Sequence, residues 1–254
     1  MKKMKATGLS DIGRQRDKNE DAIFMSLKSL GKLPNLFIIA DGMGGHQGGE
    51  YASQFAIHYF NDFIREKDFY LSDQTILDIL VEGVLYANEK LYITSRKEET
   101  LRGMGTTFIV STIIHNHIYI ANVGDSRLYL MDKDIKKITC DHSLVEEMWR
   151  KGNLSKEEIK NHPNKNIITR AVGTEKTVKV DTYKVDLLPY QYILMCSDGL
   201  TNMLSDKEMV DILLSNNKLG KKAQHLIDKA NEQGGFDNIS VIIIDWKSKE
   251  VTAS

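Results

Sequence analysis

The chain has 254 residues, of which 27% are charged and 41% are hydrophobic, and its formal net charge is −1. This composition is typical of a folded globular domain, and the near-zero charge argues against a protein that binds nucleic acid phosphates, which would carry a basic excess. Two cysteines are too few for a disulfide framework or a Cys-rich zinc site. With three prolines and no linker-like stretch, the sequence predicts a single domain over 1–254.

The N-terminal segment 1–8 begins with basic residues, but no apolar stretch follows it, so it lacks the pattern of a secretory signal. The longest apolar runs in the chain are about five residues, whereas a membrane-spanning helix needs roughly 20. We therefore expect a cytoplasmic protein whose partners include neither a membrane nor a nucleic acid.

In chain order, the first clear element is a buried strand at 36–40, which ends at an Asp-Gly pair. Apolar residues at spacings of three and four then predict two amphipathic helices, over 52–63 and 76–91. Ser72 and Asp73 precede the second helix and can cap its start.

The second half of the chain is rich in β-branched residues, which favour strands. Strands are predicted at 106–114, 117–122, 127–131, 180–185, 192–196 and 239–246. Helices at 205–214 and 219–232 lie between the last two strands, and the first of them opens with capping-box spacing. Segment 141–167 is polar, with a second capping box at 155–158, and we expect it to be a mobile surface insertion.

The order of these elements is not a regular alternation of strand and helix, and we find no internal repeat. Hairpin-linked strands with helices grouped apart indicate an α+β fold. The helices should then flank an antiparallel sheet or sandwich.

Four acidic sites lie beside predicted strands, and a fifth lies just before the apolar stretch 22–24. A single Asp-Gly pair is a common turn and carries no functional meaning by itself. If the strand ends share one sheet edge, however, the carboxylates crowd together and raise each other's pKa values, and a divalent cation relieves that repulsion. Carboxylate and water oxygens suit hard ions such as Mn²⁺ or Mg²⁺ better than zinc. The five residues are Asp21, Asp41, Asp125, Asp198 and Asp237.

The glycine-rich stretch 41–49 invites comparison with phosphate-binding loops, but its spacing matches neither familiar fingerprint. A dinucleotide-binding loop would need a glycine where Gln47 stands, and no Gly-Lys-Ser/Thr follows. A dinucleotide-binding domain is therefore disfavoured. The glycines more plausibly let the backbone approach a metal, with the Gly42 carbonyl available as a ligand.

Seven motifs in fixed order resemble those of the metal-dependent protein phosphatases, the PPM or type 2C family, and especially of its bacterial members. They cover nearly the whole chain and lie at 16–21, 40–46, 105–107, 122–127, 169–173, 196–200 and 235–240. The resemblance implies a central β-sandwich of two antiparallel sheets, flanked by α-helices on both faces. It also identifies 141–167 with the family's variable flap, where substrate preference tends to reside.

The resemblance further implies a metal centre that holds two Mn²⁺ or Mg²⁺ ions and a third, weaker one. Asp41 would bridge two ions, and the Gly42 carbonyl would complete the shell of one. Asp198 and Asp237 would bind the other ion. Asp125, together with Asp198, corresponds to the position of the third metal.

Three further residues receive roles from the same resemblance. Glu20 and Asp21 would act mainly through metal-bound waters. Arg16 would bind the substrate phosphate, because its planar guanidinium offers a fork of donors to two phosphate oxygens.

The activity implied is that of a protein-serine/threonine phosphatase, which hydrolyses phosphoserine and phosphothreonine by direct attack of a metal-bridging hydroxide. Neither cysteine starts a Cys-x₅-Arg loop, so no covalent phospho-enzyme is expected. Many eukaryotic members have a His acid where Met43 stands, whereas bacterial members commonly have Met. The leaving-group acid therefore remains open between a metal-bound water and His46.

The resemblance also implies partners, namely phosphoserine and phosphothreonine proteins and a cognate Ser/Thr kinase with its substrates. We expect a monomer, because no apolar surface stripe is left over. One alternative is a phosphoesterase acting on nucleotides or nucleic acids, which the absence of a basic stripe disfavours. Another is a family member that only binds partners, and the complete set of aspartates argues against it.

Overall fold

The computed structural model describes residues 4–44, 48–155, 158 and 162–246. Within these residues the chain forms eleven strands, which assemble into two sheets. In chain order they are β1 (Lys5–Asp11), β2 (Asp21–Ser26), β3 (Leu36–Met43), β4 (Gly105–Thr106), β5 (Phe108–Ile114), β6 (His117–Val123), β7 (Arg127–Met131), β8 (Ile135–Lys137), β9 (Asp181–Asp186), β10 (Tyr192–Cys196) and β11 (Ile239–Asp245).

Every strand pairing between these elements is antiparallel. The first sheet has the order β1-β11-β10-β7-β8, and the second has the order β2-β3-β5-β6-β9, with β4 added beside the end of β3. The registers place the end of β3, the end of β6, the end of β10 and the start of β11 at the same end of the sandwich.

Helices cover the outer face of each sheet. In the described part of the chain they are α1 (Gly48–Glu66), α2 (Asp73–Lys97), α3 (Leu144–Arg150), α4 (Asp198–Thr201), α5 (Asp206–Leu214) and α6 (Leu219–Glu232). Helices α1 and α2 pack on the second sheet, and α4 and α6 pack on the first. The predicted α+β sandwich with helices on both faces is therefore confirmed.

Strand β3 shows why the sequences of the central strands are unbroken runs of apolar residues. Leu36, Ile38 and Ala40 are buried against the helices α1 and α2. Phe37 and Ile39, which point to the other side, belong to the core between the two sheets. Because both faces of this strand are covered, alternation of polar and apolar residues would leave polar groups buried.

The predicted helix caps are present. The hydroxyl of Ser72 accepts a hydrogen bond from the Thr75 N–H, and Asp73 is the first residue of α2 rather than its cap. Ser205 and Glu208 form the complete capping box that opens α5. A backbone N–H left unpaired at a helix start is costly, and these side chains satisfy it.

Strand β3 continues through Asp41 and Gly42 to Met43, whereas the sequence predicted that it ends before them. The reason is β4, whose Thr106 lies opposite Gly42 and extends the ladder. Strands β1 and β8 were not predicted, since both are short of apolar residues and lie at the edges of the first sheet.

Segment 141–167 differs from the expected surface insertion at its start. Asp141, His142 and Ser143 are buried, and Val145 of α3 is also buried. The predicted capping box at 155–158 is present in the bonds between Ser155 and Glu158. None of the helices in the described ranges is both long and apolar enough to cross a membrane.

Candidate active site

A cavity of about 400 Å³ opens at the end of the sandwich where β3, β6 and β10 end. Acidic, basic and glycine residues from five separate parts of the chain line it. The lining residues are Arg16, Glu20, Asp41, Gly42, Met43, Gly44, Thr107, Asp125, Asn166, Ile168, Asp198 and Asp237. Among the described residues, the structure thus brings together every metal and phosphate-binding candidate predicted from the sequence except Asp21.

Asp41 is fixed through its backbone. Its N–H donates to Thr107 Oγ1 at 2.9 Å, and its carbonyl accepts from the Thr107 N–H at 2.8 Å. The same carbonyl accepts from Thr106 Oγ1 at 2.9 Å, and Thr107 Oγ1 also pairs with Ser126 Oγ at 2.8 Å. Neither threonine was given a role by the sequence, although both lie in the motif at 105–107. They hold the Asp41 side chain at the cavity.

Asp198 is the first residue of α4, and one residue, Ser197, separates it from the end of strand β10. Asn202 donates from Nδ2 to Asp198 Oδ2 at 2.9 Å. Oδ1 of Asp198 is buried and meets no N–H or hydroxyl donor among the described residues. The carboxyl group of Asp41 is its acidic neighbour. A buried carboxylate oxygen without a donor is costly unless a cation or a proton satisfies it.

Asp237 precedes β11 and carries the cavity's ion pair. Its Oδ2 accepts from Arg16 Nη2 at 2.8 Å, and both side chains remain partly exposed, at 30% and 48%. The guanidinium therefore stands at the mouth of the cavity, beside an acidic group, with part of its surface open to a ligand.

Asp125 follows a turn that His142 clamps. The Gly124 N–H donates to His142 Nδ1 at 3.0 Å, and the His142 N–H donates to the Gly124 carbonyl at 3.0 Å. His142 lies in the segment expected to be a surface insertion, so no pattern in the sequence connected it with Asp125. The start of the 141–167 segment is therefore hydrogen-bonded to the turn that precedes Asp125.

Glu20 and Asp21 are adjacent in sequence, but their side chains lie in different environments. Glu20 lines the cavity, and its carboxyl lies so close to Gly49 that a Cβ there would come within 2.6 Å of it. Asp21 lies opposite Asp41 in the pairing of β2 with β3, yet it does not line the cavity. Its Oδ2 accepts from Ser197 Oγ at 2.8 Å, and its Oδ1 is buried without a partner among the described residues.

The backbone also approaches closely at Gly42. A Cβ on Gly42 would lie 2.0 Å from the Gly49 carbonyl and 2.6 Å from the Glu20 carbonyl, so only glycine is accommodated. The Gly42 N–H donates to the Glu20 carbonyl at 3.1 Å. The strand and the loop before β2 are thereby held together at the cavity.

The acidic groups perturb one another as expected from the sequence. Burial, reinforced by the charges of Asp21 and Asp198, raises the pKa of Asp41 well above its ordinary value. Burial and the charge of Asp198 raise the pKa of Asp125 to about 8. Burial also raises the pKa of Asp21 to about 7, although the hydrogen bond from Ser197 opposes the rise. Desolvation and like charge are the two causes, and a cation would counter both.

The donor set suits a hard divalent cation, because it consists of carboxylates and a backbone carbonyl and includes buried oxygens without donors. The part of the chain that the structure describes nevertheless holds no ready-made group of three or more His, Cys, Asp or Glu side chains around an ion position. Asp237 instead pairs with Arg16.

Two cavity residues, Asn166 and Ile168, were not singled out individually by the sequence. Asn166 lies at the end of the 141–167 segment and Ile168 directly follows the segment. Their neighbour Thr169 donates from its N–H to the His142 carbonyl at 2.7 Å. No metal-ligand or nucleophile pattern marks them in the sequence. His46, one of the two candidates for the leaving-group acid, lies outside the described residues.

Comparison with known proteins decides the family. The family model of protein phosphatase 2C matches residues 6–239. The chain belongs to the protein phosphatase 2C family. A serine/threonine phosphatase stp of Listeria innocua is 42% identical over 245 residues, which cover 95% of this chain and 96% of that protein. Protein phosphatase PhpP of Streptococcus pneumoniae is 35% identical and covers 97% of this chain, with 99% of its own length matched.

Solved structures agree with this assignment. The serine/threonine phosphatase Stp1 of Staphylococcus aureus superposes with a TM-score of 0.90 at 32% identity, over 96% of this chain and 95% of that one. This phosphatase 2C member is therefore a hydrolase of the serine/threonine protein phosphatase class, and it acts on phosphoproteins. Dependence on Mn²⁺ or Mg²⁺ is typical of the family, as the resemblance implied.

Proposed function

We propose that this phosphatase hydrolyses phosphoserine and phosphothreonine at a centre of two Mn²⁺ or Mg²⁺ ions, with a third, weaker ion beside them. Asp41, Asp198 and Asp237 would hold the pair together with the Gly42 carbonyl. Asp125, with Asp198, would hold the third ion. The supporting observation is that acidic groups from separate segments share one cavity and raise each other's pKa values.

When bound, the ions supply positive charge that neutralises the carboxylates and makes a water molecule more acidic, so that hydroxide is available near neutral pH. The protein's own task is to hold the carboxylates in place, which Thr107, Asn202 and the His142 clamp do through the contacts described above. Asp237 would have to exchange its contact with Arg16 for the ion, which would free the guanidinium for the phosphate.

Glu20 and Asp21 would act through water molecules rather than as direct ligands. Glu20 lines the cavity, and burial raises its pKa. Asp21 lies behind Asp41 and hydrogen-bonds Ser197, the residue before Asp198. Met43 lines the cavity and carries no titratable proton, so it does not serve as the leaving-group acid. We retain a water molecule and His46 as the candidates.

Substrate and partners follow the same proposal. The substrates are phosphoserine and phosphothreonine proteins, and a cognate Ser/Thr kinase with its substrates is the natural partner system. We propose that the chain is a single catalytic domain over 1–254 and a monomer, with the 141–167 segment as its flap. Asn166, Ile168 and the buried root of α3 support the flap assignment, because they connect this segment to the cavity.

Chelation tests the metal requirement directly. The protein should lose hydrolysis of a phosphothreonine peptide after treatment with chelator and regain it when Mn²⁺ or Mg²⁺ is added. A nucleotide diester assayed in parallel should be hydrolysed far more slowly, since the cavity lies in a chain without a basic excess. Full activity in the chelated protein would contradict the proposal. Preference for the diester would favour the alternative phosphoesterase.

Replacing Arg16 tests the phosphate role. Arg16→Ala should raise the KM for a phosphopeptide by about 10- to 100-fold, because a charge-assisted bidentate contact contributes roughly 1.5–3 kcal/mol. Arg16→Lys should recover only part of the loss, since an ammonium group lacks the planar fork. Steady-state kinetics at saturating Mn²⁺ measures both.

Exposed Arg65, which pairs with Asp62 on helix α1, provides the matched control. Arg65→Ala should leave the KM unchanged. Arg16→Ala with a wild-type KM would rule out phosphate binding by this residue.

A further inference from the structure

The side chain of Asn238 joins three backbone groups of one loop. Its Nδ2 donates to the carbonyls of Ile12 and Lys18, each at 2.8 Å, and its Oδ1 accepts from the Glu20 N–H at 2.8 Å. The side chain is buried, with 4% of its surface exposed. One amide therefore binds both ends of the segment 12–20, which lies between strands β1 and β2 and carries Arg16.

A second set of contacts holds the same loop against the turn before β11. The N–H groups of Arg14 and Gln15 both donate to the Gly235 carbonyl, at 2.7 and 3.2 Å. Gly13, at φ +82°, lies so close that a Cβ would come within 2.2 Å of the Asp237 carbonyl. The loop that carries Arg16 is thus built against the turn that carries Asp237.

The residue type follows from this arrangement. A carboxamide presents two N–H donors and one acceptor in a plane, and all three interactions are made here. Aspartate would offer no donor to the two carbonyls. Asn238 also donates its backbone N–H to Asp237 Oδ1 at 2.8 Å, so the same residue orients the carboxylate that Arg16 contacts.

We propose that Asn238 is a positioning residue, which acts on the substrate phosphate through Arg16. The proposal rests on the proposed phosphate role of Arg16. The side chain of Asn238 makes three hydrogen bonds to the loop, and its backbone N–H makes a fourth to Asp237. These bonds fix the position of the loop relative to Asp237, and therefore the position of the Arg16 guanidinium that the loop carries. A side chain that served folding alone would affect stability without a specific effect on phosphate affinity.

The test combines Asn238→Ala with Arg16→Ala in a double-mutant cycle at saturating Mn²⁺. In the otherwise wild-type chain, Asn238→Ala should raise the phosphopeptide KM and the inhibition constant of inorganic phosphate by about tenfold, as expected when a supporting hydrogen bond is lost. In the Arg16→Ala background the same substitution should change both constants less than about twofold, because the residue through which it acts is already absent.

Asn35→Ala is the matched control. Asn35 is equally buried, at 5% exposure, and its amide also bonds the backbone, with Nδ2 donating to the Ile113 carbonyl and Oδ1 accepting from the Ile113 N–H, both at 2.7 Å. It precedes β3, at the end of the strand opposite Asp41. Its loss should lower the melting temperature while KM and phosphate inhibition stay near wild type.

The outcomes distinguish the phosphate-binding role of Arg16 from the positioning role of Asn238. An unchanged KM in Arg16→Ala alone would overturn the phosphate role and the positioning role with it. A normal Arg16→Ala effect combined with equal effects of Asn238→Ala in both backgrounds would overturn the positioning role only.

If Asn238→Ala does not fold, Asn238→Ser takes its place in the cycle. Hydrogen exchange on the wild-type protein gives a test without substitution, because the Glu20 amide should be protected by its bond to Asn238. Exchange of the Glu20 amide at the rate of an unstructured peptide would overturn the proposal.

Discussion

Asp41→Asn is expected to lower kcat by at least about 10³-fold, because stabilisation by a bound cation contributes several kcal/mol to such a reaction. Asp41 stands at the centre of the acidic cavity, and Asp198 and Asp125 contribute to its raised pKa. An amide keeps the shape of the side chain but removes the negative charge that the ions need. Asp198→Asn should have a similar effect, since Asp198 belongs to both proposed ion positions.

The fold should survive this loss of activity. In the absence of metal, the ionised form of Asp41 is disfavoured by burial and by its acidic neighbours, so a neutral residue there removes repulsion. The backbone bonds to Thr107 do not involve the side chain of Asp41 and remain. Circular dichroism and a phosphopeptide assay on the same sample therefore distinguish lost chemistry from lost structure.

Asp186→Asn serves as the control, because Asp186 is exposed and lies opposite His117, at the other end of the sandwich. Its activity should match that of the wild type. Normal turnover in Asp41→Asn would refute the assignment of the metal centre.

The stability of the chelated protein is expected to fall as the pH rises from about 5 to about 8.5. The pKa values of Asp21 and Asp125 are raised by burial to about 7 and about 8, while in the unfolded chain such groups titrate near 4. Between these limits the folded state holds protons that the unfolded state has lost. Stability contributed in this way is complete below pH 4 and disappears as the pH passes through the folded-state values.

Added Mn²⁺ should reverse the trend, because ion binding requires the deprotonated carboxylates and stabilises the folded state alone. The rise in melting temperature caused by Mn²⁺ should therefore be larger at pH 8 than at pH 5.5. Each 1 kcal/mol corresponds to about 2–4 °C for a domain of this size. Thermal unfolding with chelator and with Mn²⁺, across this pH range, measures both effects.

Asp125→Asn provides an internal check on the pH dependence. It removes one of the carboxyl groups whose pKa is raised, so the decline in the chelated protein should become shallower. A chelated wild-type protein whose melting temperature rises between pH 5.5 and pH 8 would contradict the prediction, as would the same slope in Asp125→Asn.

Local sequence was sufficient for most of the fold. Buried strands such as β10 are continuous apolar runs, and helices such as α6 have strict apolar spacing, so both were predicted close to their observed bounds. The edge strand β1 was missed because its pairing with β11 depends on residues more than 200 positions away. Such long-range pairing leaves little trace in a short stretch of sequence.

Some residues of the candidate site could likewise be predicted from local sequence, and others could not. The aspartates at the strand ends could be recognised because the same pattern, an apolar strand followed by an aspartate, recurs along the chain. Their convergence on one edge of the fold was predicted from this pattern. Thr107 and His142 were missed because threonine and histidine at those positions have no meaning until the fold places them against Asp41 and Gly124. Asp21 was expected to act together with Glu20, but Glu20 lies in the loop before β2 and lines the cavity, whereas Asp21 is the first residue of β2 and does not line it.

The neighbouring positions of β1 and β11 have a consequence for biosynthesis. Arg16 follows β1 and Asp237 precedes β11, so two residues 221 positions apart in the chain meet in one ion pair. Closing a loop of this length comes late in folding, after the local hairpins have formed. A nascent chain that has not yet released β11 from the ribosome therefore lacks the pairing of Arg16 with Asp237 and the hydrogen bonds of Asn238, so this part of the cavity forms only after β11 has left the ribosome.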